Sequence, residues 1–186
     1  MNVQVPRNMD KAEFLAWVQG REERYELANG RIMMMVGASL SHGRIVGNLY
    51  FTLRRQLDPR WEVVADFGLD LAPRTLRYPD ILVHSAGQDG ASFTTNEPVF
   101  LAEVLSPSSE ALDLGDKAAE YLHLPSLQAY LVLAQNEAKV WIWQRDGSQF
   151  PPGPTVIAGD AETVRIGSLA AELPLSVIYK GVLDQK

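Results

Sequence analysis

The sequence contains no cysteine, which excludes disulfides and thiolate metal sites and leaves the compartment undecided. No apolar run approaches the roughly 18 residues needed to cross a bilayer. The opening Met1-Asn2-Val3-Gln4-Val5-Pro6 lacks the basic-then-apolar form of a signal peptide. A cytoplasmic protein with no membrane partner is the expectation. Internal repeats and low-complexity segments are absent too. Positive charge is in deficit: 17 Lys and Arg stand against 23 Asp and Glu, a formal net charge of −6. That argues against holding nucleic acid by charge alone, since such affinity comes from neutralising phosphates. It does not exclude an enzyme whose acidic site is offset by divalent cations. The basic residues cluster as Arg54, Arg55 and Arg60, and as Arg74 and Arg77; a solvated surface is their ordinary reading.

What is present suits a soluble globular chain. The 186 residues, 46% hydrophobic and 22% charged, fit one domain with enough length for a core. Asp10 and Glu13 have capping-box spacing ahead of a helix carrying Phe14, Leu15 and Val18, with Gly20 as its stop. Arg24–Leu27 and Arg31–Val36 flank Ala28-Asn29-Gly30, a hairpin signal. The run Met33-Met34-Met35 reads as core filler. Ser39 or Ser41 is placed to cap a helix through Leu57, with Ile45, Val46, Leu49, Leu53 and Leu57 on one face. Residues 61–66 and 69–72 read as strands or one bent hairpin. Strands follow at 78–84 and 98–105, a helix at 112–123 and a strand at 128–134. Beyond them lie a strand at 138–145, an Asp146-Gly147 turn, and short β-like pieces at 163–166 and 175–179. Strands followed by a helix and another strand predict a mixed α/β sandwich with a right-handed crossover.

The most informative stretch is Pro98-Val99-Phe100-Leu101-Ala102-Glu103-Val104-Leu105. An almost continuous apolar run of this length reads as a strand covered on both faces. A carboxylate inside it needs a cation, a donor network or a metal, because desolvation costs several kcal/mol per ion. Asp80 opens another apolar, β-branched run, with Pro79 where strands tolerate proline. On the predicted helix, Leu114, Ala118, Tyr121 and Leu122 form an apolar stripe, and Lys117 stands at its edge. If Asp80 and Glu103 lie on neighbouring strands, their carboxylates repel by roughly 4 kcal/mol at 4 Å and an effective dielectric near 20. Such a pair holds a proton or an ion. Oxygen ligands suit Mg²⁺ or Mn²⁺, with the Val104 carbonyl as a natural addition. A nearby lysine can orient or help deprotonate water, or stabilise charge on a phosphorane-like transition state.

An ordered set of motifs extends this. Tyr25-Glu26-Leu27 is followed by Gly30, by Ser39-Leu40-Ser41-His42, by Pro79-Asp80, and by Glu103-Val104-Leu105-Ser106-Pro107-Ser108-Ser109. Asp113, Lys117, Tyr121 and a strand ending near Leu133 complete it. The set resembles the PD-(D/E)XK nuclease-like superfamily and, within it, the Uma-type restriction endonuclease branch, over most of the chain. The resemblance implies a restriction-endonuclease-like α-β-β-β-α-β core, about 41–134, with a mixed central sheet. An N-terminal helix and hairpin and C-terminal β additions complete one domain. It implies Mg²⁺ or Mn²⁺ at Asp80 and Glu103, hydrolysis of DNA phosphodiester bonds, and a homodimer. The superfamily's lysine stands two residues after the acid, where this chain has Leu105, and Lys117 looks like its replacement.

Each residue has a plainer alternative. Lys117 could form only an i, i+4 pair with Asp113, worth about 0.2–0.5 kcal/mol. Asp80 could be a strand-entry cap. Glu26 could approach the site or pair with Arg24 or Arg31 on an exposed face. His42 could support the site or contact phosphate, or be a helix-start histidine without a role. Trp141 and Trp143 could stack bases or pack the hairpin. At the level of function, the alternatives are a catalytically silent nuclease-fold module that binds nucleic acid or a protein, and metal-free hydrolysis by a carboxylate pair.

Overall fold

The computed structural model describes residues 8–35, 37–105 and 112–183; the opening hexapeptide, Val36 and the Ser106–Ser109 part of the motif lie outside them. Helix α1 (Lys11–Val18) starts in a capping box, with the Asp10 carboxylate accepting the Glu13 N–H and the Glu13 side chain accepting the Asp10 N–H. Strands β1 (Tyr25–Ala28) and β2 (Arg31–Met34) turn through Asn29 and Gly30, both at positive φ, as a two-residue hairpin loop of the right twist requires. Ser39 caps α2 (Leu40–Gln56) by accepting the His42 N–H, and Ile45, Leu49 and Leu53 form its buried face.

Strands β3 (Trp61–Ala65), β4 (Gly68–Ala72), β5 (Thr75–Arg77), β6 (Ile81–Ser85), β7 (Thr94–Thr95) and β8 (Pro98–Val104) follow. A π-helical turn (Leu112–Asp116) runs into α3 (Lys117–Tyr121). Then come β9 (Ala129–Leu133), β10 (Lys139–Gln144), β11 (Thr155–Ala158), β12 (Thr163–Ile166), β13 (Ala171–Pro174) and α4 (Leu175–Ile178). The main sheet has the order β11-β10-β9-β8-β6-β3 and is mixed: β8 and β9 are parallel, and the other pairs antiparallel. The α-β-β-β-α-β core is α2, β3, β6, β8, α3 and β9. A second sheet, β2-β1-β5-β4-β7, lies alongside, and β12 pairs with β13.

The period of two along a strand decides what each face of the main sheet buries. Ile81, Val83, Phe100, Ala102, Val104, Leu131 and Leu133 join Ile45, Leu49 and Leu53 of α2 in one core. Leu82, Leu101, Tyr130, Val132 and Trp143 form the other, with Leu69 of the second sheet and Ala118 and Tyr121 of α3. This is why the central strands read as unbroken apolar runs. Glu103 shares the phase of Leu101 and Leu105, so it falls on the second face, between the two sheets. A smaller core under α1 is built from Met9, Phe14, Leu27 and Leu76.

Several expectations are corrected. Met33 and Met34 are exposed on β2, an edge strand, and do not fill the core. Residues 61–72 are not one hairpin: a left-handed Asp66 and then Gly68, whose would-be Cβ meets the Phe93 carbonyl at 2.6 Å, send β3 and β4 into different sheets. The 175–179 segment is helical, because Leu175 and Ile178 reach the core at i, i+3 spacing after Pro174. Arg77 is buried, not solvated. Asp80 precedes β6 and is not part of it. Strands β5, β7, β11 and β13 lie where the sequence predicts none. No helix among the described residues is long and apolar enough to cross a membrane.

Phe100 is fully buried, whereas Met34 is 64% exposed. Phe100→Ala should therefore lower the unfolding free energy by about 3–5 kcal/mol, and Met34→Ala by less than about 0.5 kcal/mol. Urea titrations followed by circular dichroism measure both, and similar losses would contradict the placement of the Met run.

Candidate active site

The register of β6 and β8 brings the two acids together. Ile81 pairs with Ala102, so one residue further along, Asp80 lies across from Glu103. Asp80 turns its carboxylate toward the strand ends: Oδ2 accepts the Val104 N–H at 2.7 Å, and Oδ1 lies 3.0 Å from Nε2 of His42. His42 stands in the first turn of α2, which the Ser39 cap fixes against this end of the sheet. The Ser39 hydroxyl also meets Gln135, whose amide donates to the Leu105 carbonyl at 3.0 Å. Asp80 thus ties α2, the entry to β6 and the end of β8 to one point.

Glu103 is buried, and its Oε1 accepts two bonds, from Nζ of Lys117 at 2.9 Å and from the Tyr121 hydroxyl at 3.0 Å. Among the described residues no hydrogen bond reaches its other oxygen. Lys117 and Tyr121 are one helical turn apart, so α3 presents both to the same atom. Lys117 is itself buried and lies 3.2 Å from Oδ1 of Asp113 and 3.8 Å from Oε1 of Glu26. The π-helical turn before α3 supplies Asp113, and β1 of the second sheet supplies Glu26. Behind them, Tyr121 meets Tyr130 edge to face at 5.2 Å, and Tyr130 stacks on Trp143 at 5.5 Å. These rings exclude water and raise the strength of every charge interaction in the pocket.

More carboxylates than cations converge here: Glu26, Asp80, Glu103, Asp113 and Glu120 face Lys117 and Arg77. Burial is the largest influence on Glu103 and raises its carboxyl from 4.5 to about 8; Lys117 pulls it down, while Asp80, Asp113 and Glu26 push it further up. Burial alone would lower the Lys117 ammonium, but Glu103, Glu26 and Asp113 outweigh it and hold the group above its ordinary value. Burial thus biases Glu103 toward its protonated form, while the surrounding carboxylates favour the charged form of Lys117.

All the residues singled out in the sequence, Asp80, Glu103, Val104, Lys117, Glu26 and His42, meet in this region. The Uma2 family model, described as "Putative restriction endonuclease", matches residues 12–171. The chain belongs to the Uma2 family. Two proteins of Synechocystis sp., both described as uncharacterised, are similar to it. Protein sll1609 is 30% identical, over 80% of this chain and 88% of its own length; slr1290 is 29% identical, over 91% and 90%. A crystal structure of a putative nuclease belonging to DUF820 from Anabaena variabilis shares the fold. Its TM-score is 0.78 with 16% identity, and the match covers 94% of this chain and 99% of that one.

Of the two alternatives for Glu26, the structure shows the one that approaches the site, and it adds a buried partner, Arg77, that the sequence reading places on a solvated surface. Glu26 is buried and not an exposed partner of Arg24 or Arg31: its Oε1 accepts the Tyr78 N–H at 3.0 Å, and its Oε2 accepts from Arg77 at 3.2 Å. Arg77 also grips Glu120 of α3 through Nε and Nη2, each at 2.8 Å. The structural cause is the pairing of Leu27 with Leu76, which puts Glu26 and Arg77 side by side on the face opposite that small core. The tryptophans pack: Trp143 is in the core and Trp141 lies against it. Among the described residues, no group of three or more His, Asp or Glu side chains is arranged to hold a metal ion.

The raised Glu103 carboxyl has a signed consequence for stability. Its proton is bound in the folded state up to about pH 8 but leaves the unfolded chain near 4.5. The stability it contributes is complete below the lower value and is lost as pH rises through the window to the upper one. Lys117 adds no slope there, since both states keep its proton. Metal-free wild-type protein should lose stability from pH 5 to 8 more steeply than Glu103→Gln, as read from urea midpoints. Parallel curves for the two proteins would show that Glu103 ionises normally.

Proposed function

We propose that this Uma2 chain is a divalent-metal-dependent endodeoxyribonuclease, acting in the cytoplasm as a homodimer. The observation that supports the reading is the convergence of Asp80, Glu103 and Val104 with a buried ammonium, Lys117, at one end of two neighbouring strands. The donor set suits Mg²⁺ or Mn²⁺: two carboxylates and one carbonyl are hard oxygen ligands, too few to displace all of the water such ions keep. The excess of negative charge favours a cation there as well. When bound, the ion would polarise a phosphate oxygen and lower the pKa of an attacking water.

The side chains of the chain have separable tasks in this proposal. Asp80 and Glu103 hold the cation, and Glu103 exchanges its proton for it. His42, on Asp80, keeps that carboxylate aimed at the strand ends. Lys117 stays an ammonium among its carboxylates, so it serves as a donor that orients water and stabilises charge building on the phosphate; the surrounding acids oppose its use as a base. Glu26 and Asp113 hold Lys117 in place.

One observation favours a second reading, that of a catalytically silent module that binds nucleic acid or a protein. Leu105, at the position of the superfamily lysine, is buried in the apolar core and brings no charge to the site. Nicking of supercoiled plasmid decides between the two. The nuclease reading expects nicking that needs Mg²⁺ or Mn²⁺ and falls by orders of magnitude in Glu103→Gln; no cleavage in either metal leaves the silent module.

Binding is tested separately from cleavage. Mg²⁺ or Mn²⁺ should raise the melting temperature of the wild type, and Asp80→Asn should abolish that rise; an unchanged rise removes Asp80 from the metal site. Light scattering should return twice the chain mass, and a monomer mass removes the homodimer.

A further inference from the structure

The buried charge that the proposed reaction leaves without a task is Arg77. Arg77 is 2% exposed at the end of β5, an environment that accepts a guanidinium only when its charge and its donors are met. They are. Nε and Nη2 make a planar two-point contact with Glu120 of α3, and Nη1 donates to Glu26 of β1. Burial alone would lower the guanidinium, yet Glu120 and Glu26 hold it above its ordinary value.

Both partners lead to the site. Glu120 is three residues, less than one helical turn, beyond Lys117, so fixing its carboxylate plane fixes the rotation of α3 and hence where the Lys117 side chain points. Helix α3 has five residues, too short to hold its own shape in water, so its orientation depends on contacts of this kind. Glu26 accepts the N–H of Tyr78, two residues before Asp80, and also flanks Lys117. Arg77 is continuous with Tyr78-Pro79-Asp80, and Pro79 stiffens the link between them.

We propose that Arg77 is a positioning residue that sets Lys117 from two sides, through Glu120 on the same helix and through Glu26 beside the ammonium. Its activity arm rests on the nuclease reading above. A lysine cannot take its place, because an ammonium lacks the planar fork that reaches two carboxylates at once.

Three variants test this at temperatures where each remains folded: Arg77→Lys, the milder Glu120→Gln, which keeps the proposal testable if the first fails to fold, and Lys117→Met for assignment. The first readout is plasmid nicking. Arg77→Lys should lower kcat by about 10²-fold, as expected for a small misplacement of reacting groups, with KM unchanged, and Glu120→Gln should lower it less. The second needs neither metal nor DNA: the ¹⁵N ammonium resonance of Lys117, sheltered by its carboxylates in the wild type, should broaden or vanish in both variants. If both variants keep the wild-type rate and the Lys117 signal and lose only melting temperature, Arg77 is a structural residue and the proposal is overturned. A lost rate with an unmoved Lys117 signal overturns it too, because the effect then does not pass through α3. If the wild type cleaves nothing, the nuclease reading fails on its own and the resonance alone decides: its loss supports the positioning role, and its persistence ends it.

Discussion

A buried lysine held among Glu103, Asp113 and Glu26 is the constraint around which this molecule is built. Taking those groups out of water costs several kcal/mol per ion, and their mutual attraction offsets that only with close geometry and extra hydrogen bonds. The surroundings supply them: the Tyr121 hydroxyl on Glu103, the Tyr78 N–H and Arg77 on Glu26, and the Tyr130 hydroxyl on the carbonyl of Asp113 at 2.9 Å. Apolar residues of similar volume would fill the same space at no loss of stability. An excess of acid in this setting, with the Glu103 carboxyl raised by burial, is the arrangement that the proposed function draws on.

Topology delivers the groups from four places in the chain. Glu103 arrives on β8, Asp80 just before β6, Asp113 and Lys117 on the crossover between parallel strands, and Glu26 with Arg77 on the second sheet. Alternation along β8 sends Glu103 to the face that looks at the second sheet, while α2 covers the opposite face. Asp80 sits at the strand ends where both layers can be reached, which is why it touches His42 of α2 and the backbone of Val104. A change of one residue in the β6–β8 register would send one acid to each side of the sheet. The two apolar cores therefore do more than stabilise the chain: they fix the register that makes the pair a pair.

How much of this the sequence disclosed follows from the range of each interaction. Glu103 was legible because a carboxylate inside an unbroken apolar run has few solutions, and Lys117 because its helical phase put it beside the stripe that faces the core. The capping box at Asp10 and the Asn29-Gly30 turn were legible because their physics is local. The burial of Arg77 and its pairing with Glu26 were not, because β1 and β5 are short, and the pairing that buries them joins residues far apart in the chain. An arginine near other arginines looks solvated until its partners are known. The Met run misled for a related reason: apolar composition does not reveal that β2 is an edge strand. Residues 175–179 have strand-like composition, and only the i, i+3 burial of Leu175 and Ile178 makes them a helix.

The replacement of lysine by Leu105 follows the same logic. Just past β8, a lysine at that position would inherit its geometry from the sheet, to which the Leu105 N–H is bonded through the Leu133 carbonyl. In this chain that position belongs to the apolar core beside Tyr121 and Tyr130, and the cation arrives instead from α3. A strand residue needs no help to keep its place; a residue on a five-residue helix does. Moving the charge from strand to helix thus transfers the burden of positioning to whatever holds α3. Besides Lys117 and Tyr121 on Glu103, the contacts that hold it include Arg77 on Glu120, Tyr121 against Tyr130, and Tyr130 on the π-helical turn. In the proposed positioning role of Arg77, the second sheet, which lies outside the α-β-β-β-α-β core, becomes part of the candidate site.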